Sequence, residues 1–236
     1  MDIRDLLTRR PIAHRGLHDG NVERMENSLP AFEAAADSDF AIELDVQLSA
    51  DGVAMVFHDE SLDRLTGESG PVAERTAPEL RAVTLSGTEA WIPTLAETLA
   101  FVGGRVPVII EMKDNGERNR QLALAVAGDL VGYSGPVAVM SFKKHLLSDF
   151  RESGSPVPFG LTAEGIGTPA LAEHEEALTL GISFVSYHVK ALPNAFITRV
   201  REEFGLPVIT WTVRTPEDVE TTRLHADQMT FEGFIP

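Results

Sequence analysis

Glu43 and Asp45 stand two residues apart in an otherwise apolar run, AIELDVQL (41–48), and a His58-Asp59 pair follows just past Ser49-Ala50-Asp51-Gly52. In an extended strand, residues i and i+2 share a face, roughly 6.5 Å apart. Two carboxylates held that close repel by roughly 3 kcal/mol at an effective dielectric near 20. Either water solvates that face or a cation offsets the repulsion. Carboxylate oxygens are hard donors that suit Mg²⁺, Ca²⁺ or Mn²⁺. An imidazole beside them titrates near neutrality and suits proton transfer. Which alternative holds depends on where the strand sits.

A repeated pattern positions these groups. Eight short apolar runs recur: PIAHRG (11–16), FAIELDVQL (40–48), RVPVIIEMK (105–113), GPVAVMSF (135–142), VPFGLTAE (157–164), ISFVSYHV (182–189), LPVITWTV (206–213) and DQMTFE (227–232). Helical patterns lie between most of them, near 28–37, 94–102, 117–131, 143–153, 168–179, 193–204 and 215–225. Ser28 ahead of Leu29-Pro30, Thr168-Pro169 and Thr215-Pro216-Glu217-Asp218 read as helix starts: a capping hydroxyl, proline in the first turn, and in the last case acids at the positive end. Strands alternating with helices indicate a parallel sheet with right-handed crossovers. Eight units in 236 residues predict an α/β fold, one (β/α)₈ TIM barrel spanning 1–236. The rival, an open doubly wound sheet, calls for a glycine-rich loop after its first strand, and only Gly16 is there. Segment 2–9 would cover the opposite end of the barrel.

Barrel enzymes place reacting groups at the C-terminal ends of strands. Here those ends carry His14-Arg15-Gly16, Glu43 and Asp45, Glu111-Met112-Lys113, Ser141-Phe142, Thr162 and Glu164, Tyr187-His188, Trp211 and Glu232. Polar groups gathered at one pole argue against a merely solvated strand face. Asp51-Gly52 suits a tight hairpin turn, so VAMVFHDE would fold back antiparallel from the second strand. With Asp51-Gly52 as a two-residue loop, Asp45 stands opposite His58; a one-residue shift puts Glu43 there. Glu43, Asp45 and Glu111 then offer three oxygens to one divalent cation, with His14 and His58 as acid–base groups. Arg15 and Lys113 supply positive charge for an oxyanion. Strict alternation puts Arg15 on the face away from His14, so it enters the pocket only if the backbone turns at Gly16. Glu164 and Glu232 could each line the pocket or cap a loop. His18 and His188 lie near it, and His145, His174 and His225 are expected on helix surfaces.

These residues resemble the glycerophosphodiester phosphodiesterase family. The matching pieces are AHRG (13–16), MENSLPAFEAA (25–35), IELDVQLSADG (42–52), VFHDESLDRLTG (56–67), IPTLAE (92–97), IIEMK (109–113), SF (141–142) and WTVRTPED (211–218), nearly the whole chain. The resemblance implies a barrel with a small insertion after strand two, here about 49–91. It implies one divalent cation (Mg²⁺, Ca²⁺ or Mn²⁺) held by Glu43, Asp45 and Glu111, with His14 and His58 as the acid–base pair and His58 the favoured acid. It also implies Arg15 and Lys113 near the phosphate and Trp211 on the alcohol side. Asn27, Asp59 and Phe142 lie in matched motifs and would support the site. Two departures stand out: Met25-Glu26-Asn27-Ser28 replaces the usual Pro-Glu-Asn-Thr, and Thr230-Phe231-Glu232-Gly233 replaces Thr-Asp-x-Pro. The implied reaction converts a glycerophosphodiester to sn-glycerol 3-phosphate and an alcohol. Alternatives are a phospholipase-type phosphodiesterase or lyase acting on lysophospholipid, and a non-catalytic barrel that binds a phosphorylated ligand.

Composition narrows the partners. With 20 basic against 36 acidic residues and a formal charge of −16, the chain is a poor match for nucleic acid or an anionic bilayer. It has no cysteine, which excludes disulfides, zinc thiolates and cysteine nucleophiles. No stretch approaches the ~18 apolar residues of a membrane span, and MDIRDLLTRRPIAHRG lacks an apolar signal core. The expectation is a cytoplasmic enzyme for a small-molecule substrate, without stable membrane association.

Overall fold

The computed structural model describes residues 2–236. In chain order the elements are α1 (Ile3–Thr8), β1 (Ile12–Ala13), α2 (Leu29–Asp37), β2 (Ala41–Leu48), β3 (Ala54–Val56), α3 (Ala77–Arg81), α4 (Leu95–Val102), β4 (Val108–Met112), α5 (Asn119–Asp129), β5 (Val137–Ser141), α6 (Lys144–Glu152), β6 (Phe159–Ala163), α7 (Thr168–Leu178), β7 (Phe184–His188), α8 (Ala195–Glu202), β8 (Val208–Val213), α9 (Pro216–His225) and β9 (Gln228–Phe231). Strands β1, β2 and β4 to β9 pair in parallel, and β9 returns to β1 to close the barrel. Each expected strand run holds one of these strands. The helix starts are chemical. Thr215 accepts the Asp218 N–H at 3.2 Å while the Asp218 carboxylate accepts the Thr215 N–H at 3.2 Å, with Pro216 opening α9. Thr168 is a correction: it is the first residue of α7, and the cap is Gly167.

Alternation along the strands builds two cores. Ile42, Leu44, Val46, Leu48, Val108, Ile110 and Met112 face outward and pack with helix residues Phe32, Leu99, Leu122 and Phe150. Ile12, Ala41, Ile109, Ala138, Met140, Phe184 and Ile209 face inward, where Leu6 and Leu7 of α1 join them. Helix α1 thus stoppers the N-terminal mouth, and burial of each leucine contributes about 1.5–3 kcal/mol. Arg4 donates to the Gly205 carbonyl (2.9 Å) and Gln228 donates to that of Thr8 (2.9 Å), fastening the stopper to its rim. Among the described residues, no helix is long and apolar enough to cross a membrane.

The insertion after β2 has its own small core of Met55, Phe57, Leu62, Leu65, Val72, Leu80, Val83, Leu85 and Ile92, against Met25 of the barrel. Its root, β3, pairs antiparallel with β2 through Val46–Val56, Gln47–Met55 and Leu48–Ala54. This register corrects the expected turn. The loop has three residues, Ala50 to Gly52, because Ser49 bonds across it. The Ser49 N–H reaches the Val53 carbonyl (2.9 Å), its hydroxyl donates to Asp51 (2.7 Å), and it accepts the Val53 N–H (2.9 Å). Phe57, not His58, therefore lies beside Asp45, its N–H on the Asp45 carbonyl at 3.1 Å. Continued as a strand, β3 would turn His58 outward with Val56. Instead the chain leaves the ladder and bends at His58 to Glu60, which brings the imidazole into the barrel mouth.

Candidate active site

Asp45 and Glu111 are register partners on neighbouring strands β2 and β4, and Glu43 lies two residues back on the same inward face. Adjacent strands run about 4.8 Å apart, so the fold itself drives these acids together. One oxygen from each lies within 4.8 Å of the others, and the three residues are only 2%, 2% and 7% exposed for Glu43, Asp45 and Glu111. Two cations partly offset them. Lys113 Nζ is 2.7 Å from Glu111 and 3.4 Å from Asp45, and Arg15 Nε is 3.3 Å from Asp45. Burial raises the cost of charge on Asp45, yet Lys113 and Arg15 outweigh it and hold its carboxyl below the usual range. Glu43 gets less relief. Burial, then repulsion from Asp45 and Glu111, pushes its carboxyl well above the usual range. Three hard anionic donors with one charge uncompensated fit a divalent cation.

Local backbone brings Arg15 to this cluster. The ladder of β1 stops at Ala13, and Arg15 and Gly16 both take left-handed conformations, with φ of 55° and 79°. The turn begins at Arg15 itself, one residue before the expected Gly16. Its N–H donates to Glu43 (2.9 Å), and its guanidinium swings to Asp45 and Glu26 (2.6 Å). A Cβ on Gly16 would stand 2.9 Å from the Phe32 ring and 3.0 Å from the Ala31 backbone, so only glycine fits this corner. Asn27, also left-handed, grips Asp45 twice: its amide donates to the carboxylate (2.9 Å) and its oxygen accepts the Asp45 N–H (3.2 Å).

Each histidine is held by a carboxylate that an arginine holds in turn. His14 Nδ1 is 2.5 Å from Glu232, which accepts from Arg214 at 3.0–3.2 Å. His58 Nδ1 is 2.7 Å from Asp59, which accepts from Arg64 at 2.6 and 2.9 Å. Arg64 also bonds Glu26 (2.8 and 3.0 Å), so it ties the insertion to the barrel through Glu26 and Arg15. Burial holds both imidazoles below their ordinary range. His14, His58, the three acids, Arg15 and Lys113 line one cavity of about 210 Å³, which Phe142, Trp211 and Arg214 also line. Those two rings meet edge to face at 5.3 Å.

Residues 14–231 match the model of the glycerophosphoryl diester phosphodiesterase family. The chain belongs to that family. Its sequence is 28% identical over 229 residues to the glycerophosphodiester phosphodiesterase of Caldanaerobacter subterraneus subsp. tengcongensis, covering 89% of this chain and 87% of that protein. Its fold is similar to an Oleispira antarctica phosphodiesterase solved with the product sn-glycerol-3-phosphate: TM-score 0.84, 21% identity, 96% of this chain and 94% of that one. It is likewise similar to the Thermotoga maritima glycerophosphodiester phosphodiesterase, with TM-score 0.77 and 25% identity over 95% of each chain.

Within this phosphodiesterase, nine of the expected residues line the cavity: His14, Arg15, Glu43, Asp45, His58, Glu111, Lys113, Phe142 and Trp211. Asn27 and Asp59 stand directly behind Asp45 and His58. Glu232, one of two open candidates, meets His14, while Glu164 is exposed. His188 packs on the Trp211 ring at 4.9 Å, and His18 stands outside the residues that line the cavity. His174 is a correction. It is buried against Tyr187 (5.6 Å) and Phe196 (5.3 Å) instead of lying on the helix surface; His145 is exposed and His225 half-buried. Glu26, Arg64 and Arg214 join the site through contacts that the sequence alone does not show. Each nevertheless sits in a matched motif: Glu26 just before Asn27, Arg64 in VFHDESLDRLTG and Arg214 in WTVRTPED.

Proposed function

We propose that this chain hydrolyses glycerophosphodiesters to sn-glycerol 3-phosphate and a free alcohol, as one (β/α)₈ phosphodiesterase domain whose insertion runs over about 49–91. The observation that carries the reading is the buried Glu43–Asp45–Glu111 cluster with His14 and His58 on its flanks. The product bound to the Oleispira antarctica phosphodiesterase supports the choice of product.

Glu43, Asp45 and Glu111 would hold one Mg²⁺, Ca²⁺ or Mn²⁺. A bound cation supplies Lewis-acid polarisation of a non-bridging phosphoryl oxygen. Arg15 and Lys113 keep free N–H donors beside the cluster and bind the phosphate anion. His14, neutral and aimed by Glu232, takes a proton from the nucleophile, which is water or the neighbouring glycerol hydroxyl. His58 gives a proton to the leaving oxygen. An anionic phosphodiester beside it favours the imidazolium, and Asp59 at Nδ1 stabilises that form. Phe142 and Trp211 exclude water from the leaving-alcohol side.

Glycerol 3-phosphate release from glycerophosphocholine tests the proposal. Activity should vanish on full chelation and return with Mg²⁺, Ca²⁺ or Mn²⁺. No release with any of the three ions overturns the reading, and undiminished activity after full chelation removes the metal from it. A transient cyclic phosphate would assign the nucleophile to the glycerol hydroxyl.

A further inference from the structure

We infer that Glu232, clamped by Arg214, is a positioning residue that fixes which nitrogen of His14 carries the proton and aims the other into the acidic cluster. The inference rests on the reading of His14 as the base of phosphodiester hydrolysis. Three consecutive staves of the barrel supply the parts: Arg214 follows β8, Glu232 follows β9 and His14 follows β1. Their backbones are laddered together, with the His14 N–H on the Phe231 carbonyl (3.1 Å) and the Glu232 N–H on that of Val213 (3.0 Å).

The donor–acceptor roles allow one solution. Arg214 only donates: its Nε and Nη2 reach Glu232 Oε1 at 3.2 and 3.0 Å, and Nη2 reaches Oε2 at 3.0 Å. The carboxylate only accepts, so His14 Nδ1, 2.5 Å from Oε2, must present a hydrogen. In the neutral ring the lone pair then falls on Nε2. That nitrogen lies 4.0 Å from Glu43 Oε2, at the edge of the candidate cation site. When Nε2 takes the nucleophile's proton, Nδ1–H stays on Glu232 and the new positive charge faces a carboxylate that is already in place. No side chain has to move.

Arg214 makes the isosteric variant diagnostic. In Glu232→Gln two of the three arginine contacts fall on the Oε1 position and one on Oε2, so the amide oxygen settles at Oε1 and the NH₂ faces His14. Nδ1 must then accept, and the proton moves to Nε2, where the lone pair is needed. In the double variant Glu232→Gln with Arg214→Ala, nothing pins the amide, and its oxygen can turn back to accept from Nδ1.

Histidine ¹⁵N correlation spectra at about pH 8, where neutral imidazole prevails, read the tautomer directly. His14 is assigned by the signals lost in His14→Gln, and the same spectra report whether each variant is folded. The wild type should carry the His14 proton on Nδ1, and Glu232→Gln should carry it on Nε2. Glu232→Gln should lose about 10²–10⁴-fold in kcat on glycerophosphocholine, with KM little changed. The double variant should recover part of that kcat over Glu232→Gln. A wild-type proton on Nε2, a tautomer or kcat unmoved by Glu232→Gln, or a double variant no better than the single overturns the inference. A wild type that releases no glycerol 3-phosphate defeats the proposed function instead, and the spectra still decide the tautomer.

Discussion

Glu43→Gln separates the charge of the acidic cluster from its shape. The cluster's oxygens lie within 4.8 Å of one another. At that spacing and an effective dielectric near 20, a pair of carboxylates repels by about 3.5 kcal/mol. Burial, and then this repulsion, raise the folded pKa of Glu43 well above the ordinary value of about 4.3. The sign follows: the folded state binds that proton more tightly, so metal-free stability falls as pH rises from about 4.3 toward the raised folded value. Glutamine removes this cost and keeps an oxygen for the Arg15 N–H, now 2.9 Å away. At neutral pH in chelator the variant should gain about 1–2 kcal/mol, or about 2–8 °C in Tm for a chain of this length. The same change deletes one of three anionic donors. Stabilisation by Mg²⁺ or Ca²⁺, about 2.7 kcal/mol at a hundredfold excess over Kd, should largely disappear. Scanning calorimetry of both proteins, in chelator and in excess metal, measures both quantities. A variant less stable than wild type in chelator, or one that metal stabilises equally well, refutes the reasoning.

His14→Ala and His58→Ala should each lower kcat by at least ~10²-fold; a variant with near-normal turnover in the glycerol 3-phosphate assay takes its histidine out of the mechanism. Arg64→Ala frees Asp59 and removes two bonds from buried Glu26. It should destabilise by about 1–2 kcal/mol, discounted for the half-exposed arginine, and lower kcat through His58; calorimetry and initial rates check both. Burial opposes charge on Glu232, but His14 and Arg214 outweigh it and set its pKa at about 2. The unfolded value is higher, about 4.3, so this group adds stability above about pH 4.3 and loses it as pH falls through about 2. Arg214→Ala should move that loss to higher pH in a circular-dichroism acid titration, and an unmoved midpoint would refute the pairing.

Periodicity carried most of the fold. Short apolar runs placed every barrel strand, because inward and outward faces are both buried and each run must be apolar enough to serve them. Motif spacing likewise carried Glu43, Asp45 and Glu111, which strand pairing alone brings together. The hairpin register was not legible in the same way. Ser49 spans the loop through its hydroxyl, and Asp51 is further fixed by the Ala77 N–H (2.8 Å), 26 residues on. Arg214, Arg64 and Glu26 act through partners on other elements, 18 residues away for Arg214–Glu232 and 38 for Arg64–Glu26. In sequence each lies in a matched motif, but nothing local says which partner it holds. His174 shows the same limit from the other side: only the packing of β7 and α8 around it makes its helix position a buried one.

Strand β1 contributes just two ladder residues, Ile12 and Ala13, to its pairings with both β2 and β9. This makes it the thinnest seam in the wall, and the bond between His14 and Glu232 is stitched across it from positions 218 residues apart. No growing chain possesses that bond until β9 has been made, so His14 gains this partner only when the barrel closes. The same seam should be the first to breathe in the finished enzyme, with amide exchange at Ile12 to His14 outpacing that of β4 and β5.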